Sequence, residues 1–505
     1  MADLDPAIKA RAAEEFAALQ RRGAAAFGAG DFRRAEVSFR RAAELAPEDA
    51  SVHNNLGQAL RAGGKIAAAG TQFWRALALD AQFAEPAMNL GLMAAADGDW
   101  ERAIGFYAKA LTRRSNYAEA HYNWAIALER LGQPGGAIDH YRRALQFRPA
   151  YLQAINNLAA LLDEGGDHGE AEALFRAGLA EAPQMPELWS GLGSNQRAAG
   201  NLDAARSAYE RALALRPDFP DCRWNLALVH LAEGDFTDGW ANYRYRPSAD
   251  RERTPFPQSP LAAGPVDIVG EQGLGDELFF LRFAAALAGQ GAAVRYAPDA
   301  KLCSMAARLD FIEVTAAQEM DAPISVADLP YLMGLDAPPP SIRLQPEPTH
   351  LAVMQAKLAA AGPGPYLGFT WRAGIKQPGS LFKEIPAMEL AGAIQDWPGT
   401  LINLQRGPRA DEARVPGADF TACNDDLEDM LALIALLDEV VGVSNTNMHL
   451  RAAAGGTAHV LVTHPAEYRW MASGDRSPWF PDFKTYRQAA DGSWDAALEA
   501  LRRNQ

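Results

Sequence analysis

A turn containing two closely spaced glycines lies near the middle of the chain and has the composition of an anion site. It reads Val269-Gly-Glu-Gln-Gly-Leu-Gly-Asp276, follows a short apolar run and opens a helix-like segment. Gly273 and Gly275 would let the backbone approach a ligand closely, and the start of the helix would favour a negative charge. Asp276 ends the turn, where an aspartate also makes a good helix cap. The turn therefore predicts a phosphate-type site close to one carboxylate.

A second polar turn occurs later in the chain, between another apolar run and another helix-like segment. It reads Val443-Ser-Asn-Thr-Asn-Met-His449. Backbone N–H groups at such a turn can bind the phosphate of a nucleotide. The polar side chains available there are Ser444, Asn445, Thr446, Asn447 and His449. The alternative interpretation is an ordinary strand-to-helix turn with a solvated histidine, and we favour the nucleotide site.

Several cations stand between these two turns in an otherwise acidic protein. The formal net charge is −15, which argues against a general nucleic-acid binder because such proteins need a basic face. Group transfer from a phosphate needs a proton acceptor and nearby cations, since negative charge develops on the leaving group. Each cation alone would be an ordinary surface residue, but together they predict a positive lining. They are Arg372, Lys376, Lys383 and Arg406.

The segments that position these residues alternate between short apolar runs and helix-like stretches. This alternation predicts parallel sheets with crossover helices. A proline-rich segment at residues 247–265 is typical of a linker, and a second such break at 336–348 divides the rest of the chain. We therefore predict two Rossmann-like halves, at 266–348 and 349–505, the second ending in a helix at Trp494–Arg503. Facing halves of this kind would form a GT-B fold.

The first 246 residues repeat with a period of 34. Small residues recur at Ala35, Ala69, Ala103, Ala137, Ala171, Ala205 and Gly239, and each is followed four residues later by Phe39, Phe73, Tyr107, Tyr141, Phe175, Tyr209 or Tyr243. A small residue allows two helices to approach, and the aromatic ring fills the space between them. The pattern resembles the tetratricopeptide repeat (TPR) family and predicts an α-solenoid of about seven units. The last unit is irregular, and we expect it to dock on the next domain.

One register position of the repeats holds asparagine in five of six units. These residues are Asn55, Asn89, Asn123, Asn157 and Asn225, with Gly191 in the remaining unit. An asparagine amide can donate to one backbone carbonyl and accept from one N–H, so a row of them could hold an extended acceptor peptide. The repeats of the nucleocytoplasmic O-GlcNAc transferases are similar. Alternatively, each asparagine bonds to a neighbouring turn within the repeats.

Six motifs of the second half occur in the order seen in TPR-linked bacterial glycosyltransferases. Besides the two turns, they are Thr370-Trp-Arg-Ala-Gly374, Lys383-Glu-Ile-Pro386, Leu404-Gln-Arg-Gly-Pro408, and Glu467-Tyr-Arg-Trp470 with Ser477-Pro-Trp479. The region from Pro265 to Gln505 resembles the lipopolysaccharide heptosyltransferases and, more distantly, the O-GlcNAc transferases. That resemblance implies Asp276 as general base, with Lys383 supporting the departing phosphate. It also implies donor binding by Gln405 and Arg406.

The resemblance is incomplete at the donor site. Relatives usually have Asp-Thr where this chain has Asn445 and Thr446, and the segment after Gly374 lacks their usual Arg-Ser. We therefore expect a UDP- or ADP-sugar, or a less common donor such as a CMP-activated nonulosonic acid. GT-B enzymes generally need no metal, and no Asp-x-Asp pair stands at a strand end, so no metal or other cofactor is expected.

The sequence predicts a cytoplasmic glycosyltransferase that modifies Ser or Thr hydroxyls of a protein held by the repeats, with flagellin as the best guess. The opening residues contain no apolar leader, and no uncharged run is long enough to span a bilayer. Two alternatives stay open. One is a non-catalytic adaptor with a degenerate transferase domain, and the other is a transferase acting on lipid or polysaccharide.

Overall fold

A computed structural model describes residues 6–248, 265–271, 273–320, 323–373, 383–407, 409, 412 and 415–504. It divides the chain into two compact units, residues 1–183 and 184–505. Among the described helices, none combines the length and apolar character needed to cross a membrane.

The first unit is built from pairs of helices joined by short turns. Its ten described helices are α1 Pro6–Gly28, α2 Phe32–Leu45, α3 Ala50–Ala62, α4 Ile66–Leu79, α5 Ala84–Ala96, α6 Trp100–Arg113, α7 Ala118–Arg130, α8 Pro134–Phe147, α9 Leu152–Glu164 and α10 His168–Glu181. The repeated aromatic rings pack at positions where the neighbouring helix has no side chain in the way. At Gly57, for example, an added Cβ would lie only 2.6 Å from the ring of Phe73. The small-residue and aromatic pattern therefore describes a real packing rule of these pairs.

The second unit begins with two further pairs of the same kind. They are α11 Pro186–Ala198, α12 Leu202–Leu215, α13 Pro220–Glu233 and α14 Phe236–Tyr243. Seven pairs are therefore present among the described residues, as the period predicts. The repeat period ends near residue 246, but the boundary between the two compact units lies earlier, at Gln184. The two boundaries differ because the last two helix pairs pack with the α/β sheets.

The remainder of the second unit is α/β. Its first part contains β1 Val266–Val269, α15 Leu274–Gly289, β2 Val294–Ala297, α16 Cys303–Ala306, β3 Glu313–Val314, β4 Ile324–Ser325 and α17 Leu329–Met333. The strands form a parallel sheet in the order β3-β2-β1-β4. Placing β1 inside this sheet leaves its carboxyl end, and the turn after it, at the edge where ligands bind in such folds.

The second part contains a larger parallel sheet. Its elements are α18 Pro348–Ala361, β5 Tyr366–Thr370, β6 Arg372–Ala373, β7 Lys383–Glu384, α19 Ala387–Ile394, β8 Thr400–Asn403, β9 Ala418–Asp419, α20 Leu427–Leu436, β10 Glu439–Val443, α21 Thr446–Ala453, β11 His459–Val462, β12 Lys484–Arg487 and α22 Asp495–Arg502. The sheet order is β12-β11-β10-β5-β8-β9, and β6 pairs with β7 as a separate antiparallel ribbon. The predicted fold class, helical repeats followed by two parallel α/β halves, is confirmed.

The last helix pair is joined to the α/β part by aromatic packing and a buried ion pair. Trp240 of α14 is 2% exposed and packs edge-on against Phe280 of α15 and against Trp479. Just beyond α14, the buried Arg246 pairs with Asp328 at 2.5 Å and with Glu271. The irregular final unit therefore docks on the next domain, as the sequence predicted.

Candidate functional site

A cavity of about 730 Å³ lies inside the second unit, between the last helix pairs and the α/β part. We call it the Asp276 cavity. The helix pairs contribute Arg197, Ala198, Gly200, Leu202, Trp224, Asn225, Leu228, Ala232 and Tyr243. The α/β part contributes Asp276, Lys383, Thr463, His464, Pro465, Ala466, Glu467, Tyr468, Arg469, Ala472, Arg487 and Gln488. The two predicted catalytic residues, Asp276 and Lys383, therefore share one cavity with Asn225 of the repeats.

Asp276 occupies the first turn of α15 and faces the Asp276 cavity. Its Oδ2 accepts a hydrogen bond from the N–H of Gly273 at 3.3 Å, which caps the helix. Its Oδ1 pairs with the guanidinium of Arg469. Asp276 can therefore cap the helix and still bind a ligand in the cavity, because a carboxylate has more hydrogen-bond acceptor positions than the cap uses.

Lys383 lies on β7, and its ammonium donates a hydrogen bond to Glu467 Oε2 at 2.8 Å. The same carboxylate oxygen accepts from the hydroxyl of Ser444 at 2.9 Å. Burial by itself would raise the pKa of Glu467, but the charges of Lys383 and Arg469 outweigh it and hold that pKa well below its ordinary value. Glu467 therefore stays ionised and links two predicted residues.

Arg469 completes the charged cluster. Its guanidinium bridges Glu467 and Asp276, and it lies 4.6 Å from the centre of the Phe279 ring. Burial opposes its charge, but the surrounding anionic groups raise the pKa of Arg469 above its ordinary value. Sequence reasoning quoted Glu467 and Arg469 only as part of a motif and gave them no role. The signal available in the sequence was the close spacing of an acidic and a basic residue around Tyr468.

The turn after β10 places its polar residues in two different environments. Asn445 caps α21 by accepting from the N–H of Met448 at 3.3 Å, and its amide donates to Thr370 Oγ1 at 2.9 Å. Asparagine caps a helix about as well as aspartate, so this substitution keeps the local fold. Thr446 is partly exposed, whereas Asn447 is buried.

His449 does not line the Asp276 cavity. It is 6% exposed and packs between the rings of Phe279 and Phe480, with Nδ1 buried and unbonded among the described residues. Burial lowers its pKa well below the ordinary value. The structure places the ring of His449 in the core, and its contact with the donor stays a prediction. A Cβ on Gly275 would lie 3.0 Å from this ring, so that glycine is needed for helix approach.

The predicted positive lining is only partly present. Arg372 is paired with Glu412, at 2.9 Å between Nε and Oε1, and its charge is compensated there. Gln405 accepts from the N–H groups of Trp371 and Arg372 at 3.0 Å each, so it fixes the end of β5. Arg406 is exposed, and Lys376 lies outside the described residues. Of the predicted cations that the structure describes, only Lys383 lines the Asp276 cavity.

Models of a known repeat family match most of the helical region. Models of the tetratricopeptide repeat match residues 21–84, 88–117, 128–194 and 193–234. These segments are tetratricopeptide repeats. The chain is also similar to Protein FlbA of Caulobacter vibrioides, with 26% identity over 319 residues, covering 54% of this chain and 52% of that protein. It therefore spans about half the length of the curated relative it matches.

Solved structures with similar repeats cover less of the chain. The YrrB structure, described as a TPR protein with an unusual peptide-binding site, is 22% identical with a TM-score of 0.33, covering 36% of this chain and 95% of that one. Pseudomonas aeruginosa pilF is 19% identical with a TM-score of 0.39, covering 42% and 96%.

The asparagines of the TPR register do not form a uniform row. In the first unit Asn89 is buried and donates to Asn54 at 3.0 Å, while Asn123 donates to the carbonyl of Glu119 at 2.7 Å. Asn55 and Asn157 are half-buried, and each donates to a neighbouring side chain. All four asparagines of the first unit therefore bond within the repeats, in agreement with the alternative interpretation. Asn225 of the second unit lines the Asp276 cavity.

Proposed function

We propose that this chain is a metal-independent inverting glycosyltransferase that transfers a sugar from a nucleotide donor to Ser or Thr hydroxyls of a protein. The observation that carries the proposal is the Asp276 cavity, which is lined by the carboxylate of Asp276, by Lys383 and by Asn225 of the repeats. TPRs make a protein partner the natural acceptor, because stacked helix pairs offer an extended binding surface.

Asp276 would act as the general base. The acceptor oxygen attacks the anomeric carbon from the side opposite the phosphate, its proton passes to the Asp276 carboxylate, and the bond from carbon to phosphate oxygen breaks. The electron pair leaves with the nucleotide. Opposite-side attack inverts the anomeric centre. Arg469 and Gly273 orient the carboxylate through the hydrogen bonds they donate, which suits a base that must be held in place.

Lys383 would stabilise the charge that develops on the leaving phosphate. Its ammonium is already held by Glu467, so no side-chain ordering is required at the moment of transfer. Ser444 shares that carboxylate and would extend the donor site towards the first turn of α21. A UDP- or ADP-sugar and a CMP-activated nonulosonic acid are the donors to compare, because Asn445 removes a charge from this turn.

The adaptor alternative is supported by one specific observation. Asp276, Arg469, Glu467 and Lys383 satisfy one another as ion pairs, which is also what a purely structural cluster would do. In that case the TPRs would bind a protein partner, and the α/β part would hold the last repeats in place.

The deciding experiment is intact-mass spectrometry of a candidate acceptor, flagellin first, from cells with the wild-type chain, Asp276→Asn, Asp221→Asn or no chain. Asp276→Asn keeps the shape of the side chain but cannot accept the proton, whereas Asp221 is exposed on α13. A sugar-sized mass with the wild type and Asp221→Asn only would support the proposal. A mass that survives Asp276→Asn but is lost without the chain would favour the adaptor. Equal masses in all four would reject flagellin as the acceptor.

A further inference from the structure

The Asp276 cavity carries an excess of positive charge in a protein whose formal net charge is −15. Its charged lining residues are Arg197, Lys383, Arg469 and Arg487 against Asp276 and Glu467. The two carboxylates are engaged by Lys383 and Arg469. Among the described residues, no carboxylate forms an ion pair with Arg197 or Arg487.

Arg197 stands in the last turn of α11, on the TPR side of the Asp276 cavity. It is half-buried, no ion pair joins it to a carboxylate within the described part of the chain, and its Nε is buried without a hydrogen-bond partner there. A partly buried guanidinium has lost part of its hydration, so a carboxylate that met it would form a stronger pair than one on an open surface.

Arg487, the last residue of β12, also lines the Asp276 cavity. Its guanidinium donates to the carbonyl oxygens of Trp470, Met471, Ser473 and Gly474, at 2.6–3.0 Å. These bonds fix the group without neutralising it, and burial lowers its pKa from the ordinary value. Arg197 and Arg487 therefore both contribute positive charge to the lining of the Asp276 cavity.

The TPR wall beside Arg197 also offers the contacts that a polypeptide uses. Trp224 and Leu228 of α13 are partly buried and present apolar surface, and Asn225 between them on the same helix offers an amide. Apolar surface, an amide and a guanidinium suit an extended polypeptide with an acidic side chain. A nucleotide phosphate would instead find its cations, Lys383 and Arg469, in the α/β part of the lining.

On the basis of the proposed function, we infer that the acceptor segment is acidic, with an Asp or Glu close to the modified hydroxyl that pairs with Arg197. The hydroxyl lies at Asp276 while the neighbouring carboxylate meets the guanidinium on α11. Arg197 thereby selects among hydroxyl-bearing segments by charge.

The test measures binding of two labelled peptides to the full-length chain by fluorescence anisotropy, with no nucleotide sugar present. Both peptides contain Gly, Ala and a central Ser, flanked in one by Glu and in the other by Lys. The Glu peptide is expected to bind about tenfold more tightly, which corresponds to one well-formed charge pair. Arg197→Glu is expected to reverse this preference, and high salt to weaken it.

Arg61→Glu is the matched control, because Arg61 occupies the same register position on α3 in the first unit and also has a buried, unbonded Nε among the described residues. This control is expected to leave the preference unchanged. Equal binding of both peptides, or a preference that Arg197→Glu does not alter, would overturn the inference. So would a preference abolished only by Lys383→Glu, since the peptide carboxylate would then bind at the predicted position of the donor phosphate and not at Arg197. Because the assay contains no donor, it measures acceptor binding independently of sugar transfer. Charge-dependent binding that depends on Arg197, together with a mass-spectrometry experiment that finds no modified protein, would reject the transferase and keep the acidic partner.

Discussion

The ammonium of Lys383 donates a 2.8 Å hydrogen bond to Glu467, a carboxylate that also holds Ser444 and Arg469. Glu467 is thus the shared partner of one predicted catalytic residue and of the arginine that orients the other. A buried anion with two cationic partners is costly to neutralise, because Lys383 then loses the carboxylate that balances its charge and Arg469 keeps only Asp276.

Glu467→Gln is therefore expected to lower the free energy of unfolding by on the order of 3 kcal/mol, as for other buried ion pairs that lose one partner. Because the pKa of Glu467 is held below its ordinary value, the stability it contributes is present above about pH 4.5 and is lost as the pH falls further. Urea unfolding at pH 7 and pH 4 measures both effects. Glu384→Gln, which removes the more exposed partner of Arg409, should cost less than about 1 kcal/mol; equal losses in the two variants would contradict this account.

Gly275→Ala is expected to separate the start of α15 from α21. The added Cβ would lie 3.0 Å from His449 and 3.4 Å from the backbone of Thr446, and overpacking of this kind costs about 1–3 kcal/mol. The measurement is the urea midpoint together with nucleotide binding. Gly289→Ala in the same helix meets nothing within 4 Å and should be neutral or slightly stabilising. If both variants behaved alike, the close helix approach would not matter.

Gly200→Ala tests how the last repeats are held against the Asp276 cavity. Gly200 has φ +79°, and its Cβ would lie 2.7 Å from the ring of His464. Gly98→Ala is the matched control, with φ +77° and nothing within 4 Å. Both should lose about 1–2 kcal/mol from backbone strain, but only Gly200→Ala should also speed hydrogen exchange in residues 463–469. Unchanged exchange there would show that His464 simply moves aside.

Local patterns were enough to predict the repeats and the alternation of parallel strands with helices, because these features are specified by residues close in sequence. The closing helix, predicted at Trp494–Arg503, is observed at Asp495–Arg502. The site's ion pairs could not be predicted in this way. Lys383 and Glu467 are 84 residues apart, and Asp276 and Arg469 are 193 apart, so their pairing depends on how the two sheets and the last repeats pack. His449 shows the same limit, since a motif position does not reveal which face of a helix is buried.

The first unit contains a histidine pair that should make it sensitive to mild acid. The Nδ1 atoms of His121 and His140 lie 3.1 Å apart, and His140 stacks on Trp124. Burial lowers the pKa of His140 to about 4, assisted by His121 and Arg143 and opposed by Asp139, and burial also lowers that of His121.

Because both pKa values fall on folding, the unfolded chain binds more protons than the folded unit once the pH drops below about 6.5. The stability that the neutral pair contributes is complete above that pH and is lost progressively towards pH 4. The urea midpoint of the full-length chain, followed by circular dichroism, is expected to fall between pH 7 and pH 5 in the wild type and to fall less in His140→Gln. His168→Gln, which changes a more exposed histidine beside Asp163, should keep the wild-type slope. A wild-type slope in His140→Gln would mean that other groups cause the acid sensitivity.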